Sequence, residues 1–465
     1  MLDKNSRKKI IYWVILGCAI FMRIVAFFDS DNFHGIAMGK IIAAYSLLAH
    51  PGRLIAWIVP AHGPLHLYLV AISLKLSGNA YASACVLSLL FGVGICIAYF
   101  HMVRIYFNEK TAICSMFLLA FFPLHIVYSV LSTAETAFLF FLFSGLFFFL
   151  KYKNSNKDKD LIFSALILGL ASMCRFEGGL FIIIVTVLLV QQRKKALIFL
   201  LVASLMPVVW MWCNYLLSGN FLEFLLASDN IVKTEFRFQR SLGMNLGFFA
   251  RISYWPLIFK SYFGLPVFLI ACWGFIEHGF KRQYREIVCI FLSVLVFFSY
   301  KTLFEELAMQ PRYGMSLGLL FLPFFSIKFL EILKLLRKRS VVVLLVFIIY
   351  VVFRCAFLQV SMMPRTPYWI NQTASFLKEN VGSDQTVYIE TEEDNLKAPL
   401  KIYSDLNLEQ FIDYNPFSQE VELLNVNGLK HLRFIVLISR RELKNLKEMF
   451  RVNNCKIYEV KNYEK

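Results

Sequence analysis

Apolar runs of roughly 20 residues, the length an α-helix needs to cross the hydrocarbon of a bilayer, recur along almost the whole of this chain. Their approximate limits are 10–28, 80–105, 111–130, 134–151, 161–174, 178–190, 196–217, 257–277, 286–304, 313–331 and 340–360. Of the 465 residues, 58% are hydrophobic and 48 are phenylalanine, more apolar surface than a water-soluble domain can hide. The expected fold class is an α-helical polytopic membrane protein of about eleven spans. The runs 161–174 and 178–190 are short, and read as two short helices or as one interrupted element.

The net charge of +17 does not point to nucleic acid, because the cations sit in short loops between apolar runs rather than along one stripe. With the N-terminus inside, the inner loops carry Lys110, Lys151, Lys153, Lys157, Lys159, Arg193-Lys194-Lys195, Lys281-Arg282 with Arg285, and Lys334 with Arg337-Lys338-Arg339. The short outer turns carry only Arg175 and Arg312, so the positive-inside rule is met throughout. Lys4, Arg7, Lys8 and Lys9 precede a first apolar run with no small-residue cleavage pattern after it, which reads as an uncleaved span. Nine of the ten cysteines lie in or at the ends of apolar runs, with no metal-ligand spacing, so neither a disulfide framework nor a zinc site is expected.

Two outer intervals are long. In residues 29–79, an apolar stripe at Met38, Ile41, Ile42, Tyr45 and Leu48 and a second short apolar piece, Leu65 to Leu76, predict interfacial helices. Residues 218–256 read as a mobile outer loop. From about Arg365 the composition turns soluble. Helical periodicity over Tyr368 to Asn380, strands at Thr386 to Glu390, Phe434 to Ser439 and Cys455 to Val460, and an amphipathic helix over Arg441 to Phe450 predict a small α/β extramembrane domain. The expected division is a membrane unit over 1–362 and an outer-face unit over 363–465.

Ionisable groups gather at the outer ends of the runs. Asp29 and Asp31 follow the first one, and a carboxylate is the usual base for taking a proton from an acceptor hydroxyl. Asp31 would equally serve as a helix N-cap. Glu135 opens a run, where Ser132-Thr133-Ala134-Glu135 also fits a capping box. Arg175 in Arg175-Phe176-Glu177-Gly178 offers a bidentate fork for a phosphate, or complements a helix C-terminus. Arg312, before Tyr313, has the alternative of an interfacial anchor. His62 could bind substrate or simply be solvated, and His125 is similar.

In this order the motifs resemble those of the GT-C membrane glycosyltransferases, and within them the protein-mannosyltransferase and aminoarabinose-transferase-like group (glycosyltransferase family 39-like). Asp31-Asn32, with Asp29 beside it, stands where that group has Asp-Glu, so its Glu is missing here. Gly63-Pro64-Leu65-His66 stands for a Pro-Pro-Leu-Tyr-like segment, and Leu90-Phe91-Gly92-Val93 for a Phe-Gly-rich second span. Phe122-Pro123-Leu124-His125 resembles a Ser-Pro-Leu-His-like turn, and Thr133-Ala134-Glu135 a Thr-Glu-Ala start with one extra residue. Cys174-Arg175-Phe176-Glu177-Gly178 is similar to a Thr-Arg-Pro-Glu-Gly-like turn, and Arg312-Tyr313 to a late Arg-Tyr. An outer α/β domain commonly closes such chains.

The resemblance implies a polyprenyl-phosphate sugar donor (a hexose such as mannose), an acceptor that is protein, lipid or glycan, and inversion at the anomeric carbon. In that scheme Asp31 or Asp29 is the general base and Arg175 and Arg312 hold the departing phosphate. Glu135, Glu177, His62 and Tyr313 bind substrate or orient the arginines. No cofactor is implied, although Asp29 and Asp31 leave a divalent ion open. The expected location is a bacterial inner membrane, with the endoplasmic reticulum as the alternative, and the active site on the outer or lumenal face. Two other readings stand beside this one, a transporter or flippase of lipid-linked sugars and a non-catalytic membrane subunit. The charge-free middles of most spans favour the enzyme over a transporter, whose ionisable groups tend to lie at the midplane.

Overall fold

The computed structural model describes residues 3–31, 34–49, 63–241, 247–391, 394–406, 410–414, 432–438, 446–453 and 455–460. Helix α1 (Lys4–Asp29) starts on Asp3, which accepts from Ser6 N at 2.6 Å. The first outer interval holds α2 (Gly35–Ala49) and α3 (Pro64–Ser77), as the apolar stripe predicts. Asn79 and Asn108 cap α4 (Ala80–Tyr106) and α5 (Glu109–Ala120) by accepting backbone N–H groups at 2.8 and 2.9 Å. The expected run 111–130 breaks before α6 (Pro123–Tyr128): Phe122 takes an extended conformation because the ring of Pro123 excludes the α region there.

Helices α7 (Ala134–Ser155), α8 (Asp158–Cys174), α9 (Gly178–Leu188) and α10 (Arg193–Ser218) follow, so 161–174 and 178–190 are two helices. The interval read as a mobile loop is instead largely helical, with α11 (Glu223–Ser241) and the start of α12 (Phe248–Phe263). In α11, Phe224, Val232 and Phe236 recur at multiples of four and are buried, the last two beside Ala308. Asp229 and Lys233 pair at 2.6 Å on the exposed side. Gly264, at φ 85°, separates α12 from α13 (Leu265–His278) and so splits the expected run 257–277. Helices α14 (Arg285–Leu303), α15 (Gly314–Leu335) and α16 (Ser340–Met362) complete the bundle.

Among the described residues, seven helices are long and apolar enough to cross a membrane: α1, α4, α7, α10, α14, α15 and α16. The four other expected spans are the shorter or broken elements α5–α6, α8, α9 and α12–α13. The bundle core is phenylalanine-rich, with Phe143, Phe149, Phe324 and Phe325 fully buried. By contrast, only 11% of the most apolar window of α16 is buried, so that helix presents its side chains to lipid.

Beyond the bundle, α17 (Tyr368–Asn380) and α18 (Asp394–Tyr403) pack with a five-stranded mixed sheet. Its strands are β1 (Thr386–Thr391), β2 (Phe411–Tyr414), β3 (Leu432–Ile438), β4 (Lys447–Val452) and β5 (Cys455–Glu459), in the order β2-β1-β3-β5-β4. β1 pairs parallel with β2 and β3, whereas β5 pairs antiparallel with β3 and β4. The helix expected over Arg441 to Phe450 is thus overturned at its C-terminal end, where Lys447 to Val452 form an edge strand. Its open outer face carries the charges that imitate an exposed helix side. Ile370 and Leu377 of α17 bury against Val387, Ile389, Phe434, Val436 and Ile457, and α18 packs against α2 through Ile402.

One charge lies deep in the bundle. Arg23 is fully buried and donates to Ala19 O at 2.7 Å, while its fork reaches Leu119 O and Ala120 O at 3.5 Å and His125 Nδ1 at 2.6 Å. No carboxylate is among these partners. Leu119 and Ala120 are the last residues of α5, so the cation meets the negative end of a helix dipole. That contact holds α1 to the α5–α6 break and accounts for His125, which packs there rather than at a surface. Arg23→Met removes the cation and its hydrogen bonds to these acceptors. The expected loss is about 2 kcal/mol, read as a lower thermal unfolding temperature of the purified protein; an unchanged temperature would contradict the assignment.

Candidate active site

Four of the expected residues converge from three places in the chain. Arg175 leaves the end of α8, and the turn to α9 is tight: a Cβ on Gly178 would lie 2.5 Å from backbone atoms of Ser172. This turn brings Arg175 and Glu177 to the same point. Glu135, in the first turn of α7, comes from a neighbouring helix, and Arg312 from the short 3₁₀ turn Pro311–Tyr313 before α15. Arg175 Nη1 meets Glu135 Oε1 at 2.6 Å, and its Nη2 and Nε reach Glu177 at 2.6 and 3.3 Å. Arg312 Nη1 lies 3.4 Å from the same Glu135 oxygen. The Tyr313 ring underlies both guanidinium groups, at 4.7 Å from Arg175 and 5.5 Å from Arg312. All four charged side chains are 14% exposed or less.

The capping box at Ser132–Glu135 does not form. Thr133 is the N-cap and makes no side-chain cap, and the Glu135 carboxylate faces the arginines instead.

Two further side chains complete the cluster, and sequence reasoning passed over both. Lys40, on α2, is buried and lines the same cavity as Glu135, Arg175 and Arg312. Burial pulls its ammonium down to about 8; Glu135 opposes that shift, and Arg175 and Arg312 add to it. His34, just before α2, is pulled down to about 4 by burial and then by Arg312, and is neutral at neutral pH. The available signal was that Lys40 is the single charge in the apolar stretch Gly35–Ala49.

Three cations face two carboxylates here, so the cluster keeps one positive charge. It also leaves polar atoms unfilled: Glu135 Oε2, Arg312 Nε and His34 Nδ1 are buried without a hydrogen-bond partner. The cavity that Glu135 and Arg312 line has about 110 Å³. It shares Ile36, Lys40 and Gly63 with a second cavity of about 250 Å³, whose remaining walls include Ala43, Pro64 and Leu67. Gly63 permits this junction, because a Cβ there would lie 2.2 Å from Met173 O. A polar, cationic pocket opening on an apolar annex can hold a compact anion that carries an apolar tail.

Asp29 and Asp31 stand apart from these ion pairs. Asp29 Oδ1 accepts from Arg365 at 3.0 Å, and Asp31 Oδ2 accepts from Thr366 N at 2.8 Å. Tyr403 OH donates to Asp31 O at 2.5 Å and contacts Thr366 Oγ1 at 3.0 Å. Asp31, Thr366 and Tyr403 line a cavity of about 800 Å³ between the segment that follows α1 and the C-terminal region. His62 lies outside the described residues.

Glu135 is the anion on which Arg175 and Arg312 both depend. Glu135→Ala leaves Arg312 buried without a carboxylate and Arg175 with Glu177 alone, and the expected cost is about 3 kcal/mol of folding stability. Adding Arg312→Leu should recover part of that loss in a double-mutant cycle; strictly additive losses would show that the two side chains are uncoupled.

Residues 61–212, which carry Glu135, Arg175 and Glu177, match the family described as Dolichyl-phosphate-mannose-protein mannosyltransferase. No curated protein matches the chain in sequence. Among solved structures, ArnT from Cupriavidus metallidurans is similar in its apo state, at 12% identity and a TM-score of 0.67, covering 96% of this chain and 97% of that one. The same protein bound to undecaprenyl phosphate gives 13% and 0.65 over the same shares. The archaeal oligosaccharyltransferase AglB from Archaeoglobus fulgidus, in complex with an inhibitory peptide and a dolichol-phosphate, gives 12% and 0.57, covering 93% of this chain and 69% of that one. With a family match in the sequence of its central helices and this likeness over nearly its whole length, the chain has the GT-C fold, and residues 61–212 resemble a family of membrane glycosyltransferases.

Proposed function

We propose that the protein transfers a hexose, such as mannose, from a polyprenyl-phosphate donor to an acceptor hydroxyl at the outer face of a bacterial inner membrane. The observation that carries this reading is the buried cluster of Lys40, Arg175 and Arg312, with its surplus positive charge and adjoining apolar annex. A lipid phosphate is a compact anion on an apolar tail, and the fold neighbours named above bind undecaprenyl phosphate and dolichol-phosphate. Arg175, Arg312 and Lys40 take the phosphate. Glu135 and Glu177 hold the arginines, and the unfilled Oε2 of Glu135 accepts from a sugar hydroxyl. His34 Nδ1 is a second polar contact for the donor. Residues 1–362 form the membrane unit and 363–465 the outer-face unit.

Transfer proceeds by attack of the acceptor oxygen on the anomeric carbon. The bond from that carbon to the phosphate oxygen breaks, the polyprenyl phosphate leaves with the electron pair, and configuration inverts. Asp31 takes the hydroxyl proton. The cations stabilise the charge that gathers on the leaving phosphate, in a site where water does not compete. The cavity beside Asp31 is the entry for the acceptor, which is a protein, lipid or glycan.

Asp31→Asn is expected to lower transfer of labelled sugar from a polyprenyl-phosphate donor by about 10² to 10⁴-fold, with donor binding kept and Asp29→Asn affected less. Wild-type rates in both variants would remove the base assignment. Movement of lipid-linked sugar between leaflets without transfer by the wild type would replace the enzyme with a transporter.

Lys40 gives the site a pH dependence. Below about pH 8 it is protonated and adds its charge to the phosphate pocket; above that it is neutral and donor affinity falls. The apparent KM for donor should rise about tenfold per pH unit on the alkaline side. In Lys40→Arg that limb should vanish, because a guanidinium stays charged. A wild-type profile flat to pH 10 would exclude Lys40 from donor binding.

A further inference from the structure

At the other end of the bundle lies a second built cavity, of about 620 Å³, that the transfer reaction does not use. It sits roughly 30 Å from Arg312 along α15, from the 1.5 Å rise per residue of an α-helix. Four cations line it: Lys110 at the start of α5, Lys281 after α13, Lys334 on α15, and Arg337 in the turn to α16. None of them is in an ion pair among the described residues; Lys281 makes only a contact to His278 Nδ1 at 2.8 Å. The one carboxylate on the wall, Glu331, is already held by His278 Nε2 at 3.2 Å and by Lys328 Nζ at 3.3 Å. Lys328 bonds Glu277 as well, so that one ammonium bridges both carboxylates of the group Glu277, His278 and Glu331. The cavity therefore keeps a large uncompensated positive charge.

Its depth is set by the fold. Lys334 and Arg337 lie in the turn joining α15 and α16, both of which are span-length, so they occupy the level where the chain leaves the hydrocarbon. That is the level of lipid phosphates. The α15 side of the cavity adds Ile327, Leu330 and Leu333, an apolar wall beside the cations. A generic excess of inner-loop cations explains charge at this end. It does not explain four of them lining one open cavity whose only carboxylate is already held.

We propose that this cavity binds the phosphate-bearing headgroup of an anionic phospholipid, with the acyl stem against α15. Basic pockets between membrane helices are suited to such headgroups, each cation contributing near the surface. The site is independent of the transfer reaction and is tested without it.

The test uses the full chain, purified in mild detergent, stripped of lipid and titrated with cardiolipin, phosphatidylglycerol, phosphatidylcholine or sodium phosphate, with bound lipid read by native mass spectrometry. Wild type should retain cardiolipin and phosphatidylglycerol at least about tenfold more tightly than phosphatidylcholine. The triple variant Lys281→Gln, Lys334→Gln, Arg337→Gln should lose that preference. Lys157→Gln with Lys159→Gln, which removes charge from a neighbouring loop outside the cavity, should keep it. The comparison among lipids on the wild type stands even where the triple variant fails to fold. Equal retention of anionic and zwitterionic lipid overturns the proposal, as does equal loss in both variants. Displacement of the bound lipid by millimolar phosphate, with no preference for lipid over phosphate, would make this a site for a soluble anion and overturn the lipid as its occupant.

Discussion

The structure turns on one carboxylate shared between two arginines. Glu135 begins α7, Arg175 ends α8 and Arg312 precedes α15, so that a single charge network ties three helices at the rim of the bundle. At a water-exposed surface such pairs contribute little. Here the side chains are nearly excluded from solvent, and leaving any one of them alone is far costlier than pairing it is favourable. The network therefore acts mainly as a constraint: it admits only arrangements in which all three helix ends meet. It also fixes the guanidinium forks before any ligand arrives, which is the preorganisation that electrostatic stabilisation of a leaving phosphate requires.

The two halves of the proposed chemistry hang on different parts of the chain. The cation cluster is built by the bundle together with α2. The Asp31 wall is built with residues that follow α16, through Thr366 N, Arg365 and Tyr403. Because α18 packs on α2, and Lys40 projects from α2 into the cluster, the C-terminal region touches both halves through one short helix. Displacing α18 would move the proposed base and the buried lysine together. A sugar transferase needs donor and acceptor groups brought to one distance, and α2 is the element on which that distance depends.

What was legible in the sequence follows from where a membrane tolerates charge. Glu135, Arg175, Glu177 and Arg312 could be picked out because apolar runs expel ionisable groups to their ends, leaving few candidates on one side. Lys40 was not legible for the converse reason. It sits inside an apolar stripe that reads as interfacial, and only the packing of α2 against α3 and α18, beside the cavity that Cys174 and Arg175 line, turns it into a buried cation. The capping box at Ser132–Glu135 failed because a local motif worth about 1 kcal/mol competes with two guanidinium groups that arrive from far along the chain. Helix α11 was hidden by its charges, although Phe224, Val232 and Phe236 already marked a face. Strand β4 was misread because an edge strand and a surface helix both show an exposed charged side.

Arg23 shows how the bundle handles the exception to that rule. A cation in the apolar interior needs a counter-charge, and a carboxylate would add a second ion to desolvate. The break before Pro123 supplies a substitute. By ending α5 early it turns the carbonyls of Leu119 and Ala120 towards Arg23, and their dipoles carry partial negative charge without the hydration cost of a full anion. The interruption that shortens a membrane helix thus supplies acceptors to both terminal nitrogens of the buried arginine, while its Nε has no hydrogen-bond partner. Since α1 ends at Asp29, less than two turns beyond Arg23, this pairing also settles how the first helix delivers Asp29 and Asp31 to the membrane surface.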